Sequence, residues 1–324
     1  MELTLIPSRK VLDIQPDETI LAALIRQNAP ISHSCKDGRC GLCRCSLAVP
    51  DFLSVGYHFS EMASVLACQT VPNADCLIEI LDPADILVLP AQMARGRVVS
   101  VDAPVEHIRR LTLSPEKPVK FAAGQYFEVT FPSNIVRMYS AASMPTDDTL
   151  RFDIQLHYHG QASRYIRDTL KVGNNLKLRG PLGAAFLRRN CPAPILCISN
   201  NTGLGPLIAL LRTISEARMP NPIYIYAGFS SAEYIYGRQE LQQATKDLVN
   251  LRYSHTVVGG GALNRTDRLG LLTDVLTADF QDLSAYRVYA FGSPHAIEVS
   301  CRLLRLKGVA PNRLHAEPFV YSAF

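Results

Sequence analysis

The sequence has no apolar run long enough to span a bilayer, no internal repeat and no low-complexity tract. Its first residues, Met1 to Ile6, do not join a basic stretch to an apolar core, so we expect no signal peptide. Its basic residues are scattered rather than gathered in a stripe, which argues against nucleic-acid binding. These absences predict a soluble, cytoplasmic protein with no membrane or nucleic-acid partner.

Length and composition allow several folded domains. The 324 residues are 48% hydrophobic, enough for the cores of two or three domains. Residues 1–90 hold 6 Lys and Arg against 11 Asp and Glu, whereas residues 91–324 hold 27 against 18. An acidic module is therefore joined to a basic remainder. The opposite charges would favour docking of the acidic module on the basic remainder. Two independently solvated surfaces would explain the charge difference equally well.

Four of the nine cysteines have the spacing C-x4-C-x2-C followed, after twenty-four residues, by one more: Cys35, Cys40, Cys43 and Cys68. This is the plant-type ferredoxin pattern, in which four thiolates hold a [2Fe–2S] cluster. Gly38 and Gly41 lie between the ligands, and glycine lets backbone N–H groups approach the cluster sulfurs without a Cβ in the way. The sequence therefore predicts a carrier of single electrons.

Two other interpretations of these cysteines are less favoured. Disulfides are not expected in a chain without a signal peptide, and zinc sites favour C-x2-C pairs over this triplet. Cys45 falls outside the cluster spacing. The remaining cysteines lie in apolar contexts typical of small core residues: Cys76, Cys191, Cys197 and Cys301.

The order of strand and helix patterns divides the chain into three domains. Residues 1–90 predict a small mixed domain, with strands at 2–6 and 11–14, a helix at 19–27 and a linker at 82–94. Residues 91–190 contain short β-prone runs separated by turns, which predict an antiparallel barrel with strands at 97–101, 107–113, 126–131, 150–157 and 175–178. Residues 191–324 alternate between strand and helix, which predicts a parallel α/β sheet with strands at 194–199, 223–227, 251–257 and 287–291. The expected fold class is multidomain, α+β followed by α/β.

A second group of motifs suits a flavin nucleotide. Arg137, Tyr139 and Ser140 form an R-x-Y-S sequence, and G-Q-A-S at 160–163 opens a helix predicted at 162–170. A flavin nucleotide needs a cation for its pyrophosphate, an aromatic platform for its ring and backbone donors at a helix start. R-x-Y-S alone is also typical of an ordinary strand end, and the neighbouring motifs give it its weight.

The third motif is the sequence T-G-L-G at 202–205, which follows an apolar strand and precedes a helix. In an open parallel sheet, ligands bind at the carboxyl ends of the strands, with phosphates at a helix N-terminus. By itself the motif also fits an ordinary strand–helix turn.

Together the three motifs resemble the reductase components of bacterial aromatic-ring-hydroxylating dioxygenase systems, of the type found with naphthalene dioxygenase. The resemblance covers essentially the whole chain, in the order cluster, flavin, nicotinamide. It implies a β-grasp ferredoxin domain (1–90), an FAD-binding β-barrel (91–190) and an NAD(P)H-binding α/β domain (191–324).

The resemblance also implies residue roles. Arg137 would pair with the flavin pyrophosphate, Tyr139 would pack on the flavin ring, and the Ser140 hydroxyl would lie near N5, the atom that receives hydride. Backbone donors to the phosphates would come from Gly160, Gln161, Ala162 and Ser163. The nicotinamide nucleotide would be held by Thr202, Gly203 and Leu204.

Three short stretches near the expected nucleotide site depart from or complete the family pattern. Asn200 and Asn201 replace glycines of a G-G-G-T-G turn, and asparagine tolerates left-handed backbone better than most residues. Phe291 and Gly292 stand where relatives carry Cys-Gly, so no thiol is available there, while Gly292 remains a candidate binding residue. Glu317 belongs to the E-P-F ending that commonly lies near the flavin, and we expect a catalytic role for it beside Ser140.

The choice of nucleotide depends on the residues after the second strand of the last domain. Many relatives carry an arginine where Ser230 stands. A free ribose hydroxyl suits a carboxylate such as Glu233, which favours NADH over NADPH. Arg238 is close in sequence and leaves NADPH open as a second donor.

Electron counting predicts the function. NAD(P)H delivers two electrons as hydride and a [2Fe–2S] cluster accepts one at a time, so FAD is expected between them. The electrons would pass to a Rieske-type ferredoxin or directly to a terminal oxygenase. The alternatives are another client, a monooxygenase or a sugar-nucleotide dehydration system, and a non-enzymatic redox sensor with a degenerate nucleotide site.

Overall fold

The computed structural model describes residues 1–6, 8–29, 31, 33, 36–38, 43–48, 50–51, 58–59, 62–79, 87–259, 264 and 267–319. The chain forms two compact units, Met1–Ala91 and Gln92–Phe324. The described helices are all too short or too polar to cross a lipid bilayer.

The first unit contains a five-stranded mixed sheet in the order β2-β1-β7-β3-β6. Its described elements are β1 (Glu2–Ile6), β2 (Val11–Asp13), α1 (Ile20–Arg26), β3 (Arg44–Ala48), β6 (Ala63–Leu66) and β7 (Cys76–Glu79), with a separate pair β4 (Pro50–Asp51) and β5 (His58–Phe59). β1 runs parallel to β7, and the other pairs of the larger sheet are antiparallel. A mixed sheet with one helix against it fits the predicted β-grasp domain.

Helix α1 packs onto this sheet through one apolar face. Ile20 and Leu24 are fully buried in a core shared with Leu3 and Ile78. The helix begins at Ile20 because the Thr19 hydroxyl accepts a hydrogen bond from the Ala22 N–H at 3.2 Å, which satisfies one of the free donors of the first turn.

The second unit begins with a curled six-stranded antiparallel sheet in the order β11-β10-β13-β8-β9-β12. Its elements are β8 (Gln92–Val105), β9 (Ile108–Pro115), β10 (Tyr126–Phe131), β11 (Ile135–Ser140), β12 (Leu150–Gln155), α2 (Gln161–Asp168) and β13 (Asn175–Leu182). Phe127, Phe131 and Phe152 are buried inside the curl, and Ile166 of α2 joins the same core. This sheet is the predicted flavin-domain barrel.

The second unit continues with a six-stranded parallel sheet in the order β17-β16-β15-β14-β18-β19. Its elements are β14 (Ile195–Asn200), α3 (Leu204–Glu216), β15 (Ile223–Phe229), α4 (Arg238–Asp247), β16 (Leu251–Val257), β17 (Asp267–Leu269), α5 (Leu272–Asp279), β18 (Arg287–Gly292), α6 (Pro294–Leu306) and β19 (Leu314–Pro318). Separate apolar cores cover the two faces of the sheet. The strand order reverses between β14 and β18, and such a switch point opens a crevice at the strands' carboxyl ends.

Several sequence-based expectations need correction. The linker predicted at 82–94 is wrong at its end, because β8 begins at Gln92 and pairs with β13. The R-x-Y-S motif forms the last four residues of β11, a strand that the sequence analysis did not predict. The sequence analysis also missed three elements of the last domain, β17, α5 and β19.

Candidate functional site

The first unit brings two of the four predicted cluster ligands together. β3 and β6 pair antiparallel with Arg44 opposite Leu66. Continuing this register, the Ala67 N–H donates to the Cys43 carbonyl at 3.0 Å, so Cys43 and Cys68 flank adjoining backbone. Both side chains are buried. Cys35 and Cys40 lie outside the described residues.

The backbone around these cysteines suits a loop wrapped closely on a cluster. Gly38 has a φ of +84°, and a Cβ there would lie 3.0 Å from the Gln69 side chain. Lys36 also has left-handed backbone, with a φ of +62°. Burial raises the pKa of Cys45 to about 12 and that of Cys76 to about 11, so both remain neutral thiols in the core. Cys43 and Cys68 are the two predicted cluster ligands that the structure describes.

A cavity of about 580 Å³ lies in the second unit, between the barrel and the crevice at the ends of β14 and β18. Seven predicted site residues line it: Arg137, Tyr139, Ser140, Gly160, Ala162, Ser163 and Thr202. The flavin and nicotinamide motifs, far apart in sequence, therefore face one space.

Strand β11 supplies one wall of this cavity. Its pairing with β10, which sets Tyr126 opposite Ser140, fixes the direction of the motif side chains. Tyr139 packs against Phe131 and Phe152, each with ring centroids 6.3 Å away, and burial raises its pKa, so the ring stays neutral. Among the described residues, no carboxylate forms an ion pair with Arg137. Its charge is therefore available for a phosphate group.

The start of α2 forms another part of the wall. The Ser163 hydroxyl accepts a hydrogen bond from the His157 N–H at 2.9 Å, which holds the turn before the helix. No side chain caps the helix at Gly160. The first-turn N–H groups that remain without an intrahelical partner suit an anion.

The end of β14 closes the cavity from the nucleotide side. Asn201 has left-handed backbone with a φ of +49°, as asparagine permits, while Asn200 is extended. The Asn201 Oδ1 atom is buried without a hydrogen-bond partner among the described residues and belongs to a cavity-lining side chain. It is an acceptor suited to a bound N–H donor, such as a nicotinamide carboxamide.

Gly203 holds this turn against the neighbouring strand. A Cβ on Gly203 would lie 2.1 Å from the Phe291 carbonyl oxygen, so only glycine allows the approach. Phe291 itself is fully buried in the core. The Ser293 hydroxyl donates to the Asn200 Oδ1 at 3.1 Å, which joins the ends of β14 and β18.

The E-P-F ending lies on and after edge strand β19. Phe319 lines the cavity, and its N–H donates to the Gly292 carbonyl at 2.7 Å. Glu317 does not line the cavity. Its carboxylate lies near Gly183, close to the Tyr126 ring, and burial raises its pKa to about 8.

Other predicted residues also lie outside the cavity wall. Leu204 and Gly203 are buried behind it, and Glu233 forms a 3.1 Å hydrogen bond with the Ser231 hydroxyl after β15. Gln161 is exposed on α2, and Gly292 packs closely against Asn200. Several lining residues were not predicted from the sequence, among them Asp153, His157, Tyr158, His159 and Ser293. For His157, Tyr158 and His159, their place directly before the G-Q-A-S motif could have indicated that they line the cavity.

Comparisons with known proteins agree with this organisation. Residues 3–73 match the family of 2Fe-2S iron-sulfur cluster binding domains, and residues 92–186 match the oxidoreductase FAD-binding domain family. The ferredoxin–NAD(P)(+) reductase component of the naphthalene 1,2-dioxygenase/salicylate 5-hydroxylase systems of Ralstonia sp. is 36% identical, with 98% of each chain covered. The corresponding component of the naphthalene 1,2-dioxygenase system of Pseudomonas putida is 33% identical, with the same coverage.

The chain belongs to the ferredoxin–NAD(P)(+) reductase components of aromatic dioxygenase systems. It is an oxidoreductase whose cofactors are a [2Fe–2S] cluster and FAD, with NAD(P)H as electron donor. A solved cytochrome P450 reductase from Amycolatopsis has the same fold over 99% of each chain, with a TM-score of 0.73 at 23% identity. The reductase fold is thus shared well beyond the close relatives.

Proposed function

We propose that the reductase takes hydride from NADH at the cavity and passes electrons singly to the cluster, which is held by Cys35, Cys40, Cys43 and Cys68. It delivers these electrons in the cytoplasm to a Rieske-type ferredoxin or terminal oxygenase of an aromatic-ring dioxygenase system. One observation carries this proposal: the flavin motif and the nucleotide turn line the same cavity. The names of the relatives from Ralstonia and Pseudomonas support the client.

The barrel side of the cavity would bind and orient the flavin. FAD held there would supply both two-electron and one-electron chemistry, which would match the nicotinamide donor to the cluster. Arg137 and the N–H groups at the start of α2 offer positive charge to the pyrophosphate. Ser140 is held by the β10–β11 pairing and presents its hydroxyl to the cavity, where it would hydrogen-bond to the flavin ring.

The nucleotide side would hold the nicotinamide against that ring. Thr202 and the unpartnered Asn201 Oδ1 are placed to bind the nicotinamide half. Phe319 occupies the same wall, so an incoming nicotinamide would have to pack beside it or displace it. Buried apolar groups around the turn would exclude water from the transferred hydride.

NADH rather than NADPH is the proposed donor. Glu233 lies after β15, where a carboxylate binds the ribose hydroxyls of NADH in this sheet topology. Ser230, at a position where an arginine would favour a 2′-phosphate, offers no charge. The Arg238 guanidinium, the other candidate, forms an ion pair with Asp267 at 2.7 Å.

Anaerobic titration of the purified reductase tests the proposal. Overlapping flavin and [2Fe–2S] absorbance should bleach with stoichiometric NADH and much less readily with NADPH. Steady-state reduction of cytochrome c by NADH should follow. A protein whose cofactors stay oxidised with both nucleotides would contradict the proposal and favour a redox sensor.

The client needs its own measurement. The reductase should support product formation when combined with a terminal aromatic-ring dioxygenase, with or without a Rieske ferredoxin, in the presence of NADH. Coupling only to a monooxygenase component would assign the reductase to a different client while leaving the electron path intact.

A further inference from the structure

Arg238 lies at the edge of the parallel sheet where the adenosine end of a dinucleotide is expected. It is the first residue of α4. The neighbouring strands β15, β16 and β17 run parallel, so their carboxyl ends meet at one edge. In this topology an acidic residue near the end of the second strand binds the ribose of NAD, and a nearby arginine accommodates the 2′-phosphate of NADP.

The Arg238 guanidinium is already bound to a carboxylate. Its Nη1 donates to Asp267 Oδ1 at 2.8 Å and its Nη2 to Asp267 Oδ2 at 2.7 Å, a two-point contact that matches the planar guanidinium. The Asp267 side chain has no exposed surface, whereas that of Arg238 is 25% exposed. The arginine therefore has an accessible part but no free charge.

Two further groups fix the carboxylate in place. The Asn264 N–H donates to Asp267 Oδ2 at 2.8 Å, and His255 Nδ1 lies 3.1 Å from Asp267 Oδ1. His255 is fully buried, and its pKa is lowered, first by burial and then by Arg238, so it remains a neutral ring. Asp267 is thus held by contacts that come from the protein itself.

We propose that Asp267 is a specificity-determining residue, which keeps Arg238 from binding a 2′-phosphate and so makes the reductase select NADH. The inference rests on the proposed function and adds the group responsible for the choice. Breaking the pair would leave a buried carboxylate without its partner, which is strongly unfavourable. Keeping the pair would put the 2′-phosphate beside a guanidinium whose charge Asp267 has neutralised.

Asp267→Asn tests the inference, because it removes the negative charge with little change in shape. Binding of 2′,5′-ADP and of 5′-AMP to the holoenzyme, measured by calorimetry, reports the adenosine end alone. Affinity for 2′,5′-ADP should rise about tenfold, and that for 5′-AMP should change less than about twofold. The ratio of kcat/KM for NADPH to that for NADH should rise in parallel.

The double variant Asp267→Asn, Arg238→Gln is the matched control. It should lose the gain in 2′,5′-ADP affinity, because the released arginine is what binds the phosphate. An equal gain in the single and double variants, or no gain in a folded Asp267→Asn protein, would overturn the inference.

The wild type keeps the inference testable if Asp267→Asn does not fold. It should bind 2′,5′-ADP no more than about twofold more tightly than 5′-AMP, because the paired arginine makes no productive phosphate contact. A preference of about tenfold for 2′,5′-ADP would show that the wild type already binds the 2′-phosphate and would overturn the inference. Failure of the wild type to be reduced by either nucleotide would instead count against the proposed function, since 2′,5′-ADP binding does not depend on hydride transfer.

Discussion

Glu317, the carboxylate for which we expect a catalytic role, should make the stability of the fold depend on pH. Its pKa rises from an ordinary 4.5 to about 8 because burial disfavours the charged form. The folded state therefore favours the protonated acid. The stability that the protonated form contributes is fully present below pH 4.5 and is lost as the pH rises through 8.

Glu317→Gln should remove that pH dependence. Glutamine mimics the protonated acid, so the variant should have nearly the wild-type melting temperature near pH 4.5 and a higher one at pH 8.5. Thermal unfolding of the holoenzyme across this range measures the difference. Parallel curves for the two proteins at all pH values would show that Glu317 does not titrate in the folded state as we expect.

Gly203→Ala should disturb the nucleotide turn. The new Cβ would lie 2.1 Å from the Phe291 carbonyl, so the backbone must move. Overpacking of this kind costs roughly 1–3 kcal/mol, and the KM for NADH should rise because Thr202 moves with the turn. Thermal unfolding and steady-state kinetics measure both effects. Gly228→Ala, whose Cβ would lie 3.3 Å from the Thr256 hydroxyl, is the control and should change both less.

Among the elements, β9, β12 and α4 are joined by the side chain of Arg110. Arg110 donates to Asp153 at 2.8 Å, directly opposite it on the barrel, and to Glu240 of α4 at 2.8 Å. Tyr236, just before α4, has its hydroxyl 3.4 Å from the Thr202 carbonyl. The flavin wall and the nucleotide turn are thus tied by polar contacts through the start of α4.

Arg110→Met should loosen this connection. It leaves the fully buried Asp153 without its partner, a change that costs roughly 3–5 kcal/mol in comparable pairs. Flavin reduction should slow more than NADH binding weakens, and the deuterium isotope effect with labelled NADH should change as the two rings lose their alignment. Arg167→Met, which removes the exposed Arg167–Asp168 pair, should leave the melting temperature and the isotope effect unchanged.

Strands and helices were predictable from the sequence where nearby turns and apolar runs marked them clearly. The strands at 126–131 and 251–257 have the predicted bounds, because turns and an apolar run define both ends. Strand β11 was missed because its exposed residues, Val136 and Met138, alternate with the polar or aromatic motif residues and leave no apolar face to read. Strand β17 has only three residues, and its stability comes from pairing with β16 rather than from its sequence.

The candidate site was predictable where a motif marked it and not where the fold assembled it. R-x-Y-S, G-Q-A-S and the T-G-L-G turn contributed seven lining residues. Asp153 and Ser293 carry no local signal, because their places depend on strands distant in sequence. Glu317 carried a motif but lies behind the wall, since position along β19 does not reveal which way a side chain faces.

For the whole molecule, the cluster and the flavin belong to different units, so a mutation should remove the function of one cofactor and leave that of the other. Cys68→Ser should remove one of the proposed cluster ligands in the first unit and leave the cavity of the second unit unaltered. Reduction of cytochrome c by NADH should fall to background, while reduction of ferricyanide, which accepts electrons directly from flavin, should persist. Absorbance and electron paramagnetic resonance would report loss of the cluster.

Cys301→Ser is the control for that experiment. This residue lies in α6 of the second unit, and burial raises the pKa of its thiol, so it remains protonated at neutral pH. The variant should keep the cluster and both activities. Loss of ferricyanide reduction in Cys68→Ser would show that the flavin site depends on the cluster domain and would contradict the expected independence.

The contact between Gly203 and the Phe291 carbonyl has a consequence for engineering. A turn whose inner side is closed against a neighbouring backbone has no room for added side chains, so libraries that diversify Gly203 should be dominated by inactive members. The edge beyond β15 has exposed positions, Ser230 and Glu233, whose side chains can be exchanged. Efforts to change the coenzyme used in a whole-cell biocatalyst should therefore mutate that outer edge and leave the turn as it is.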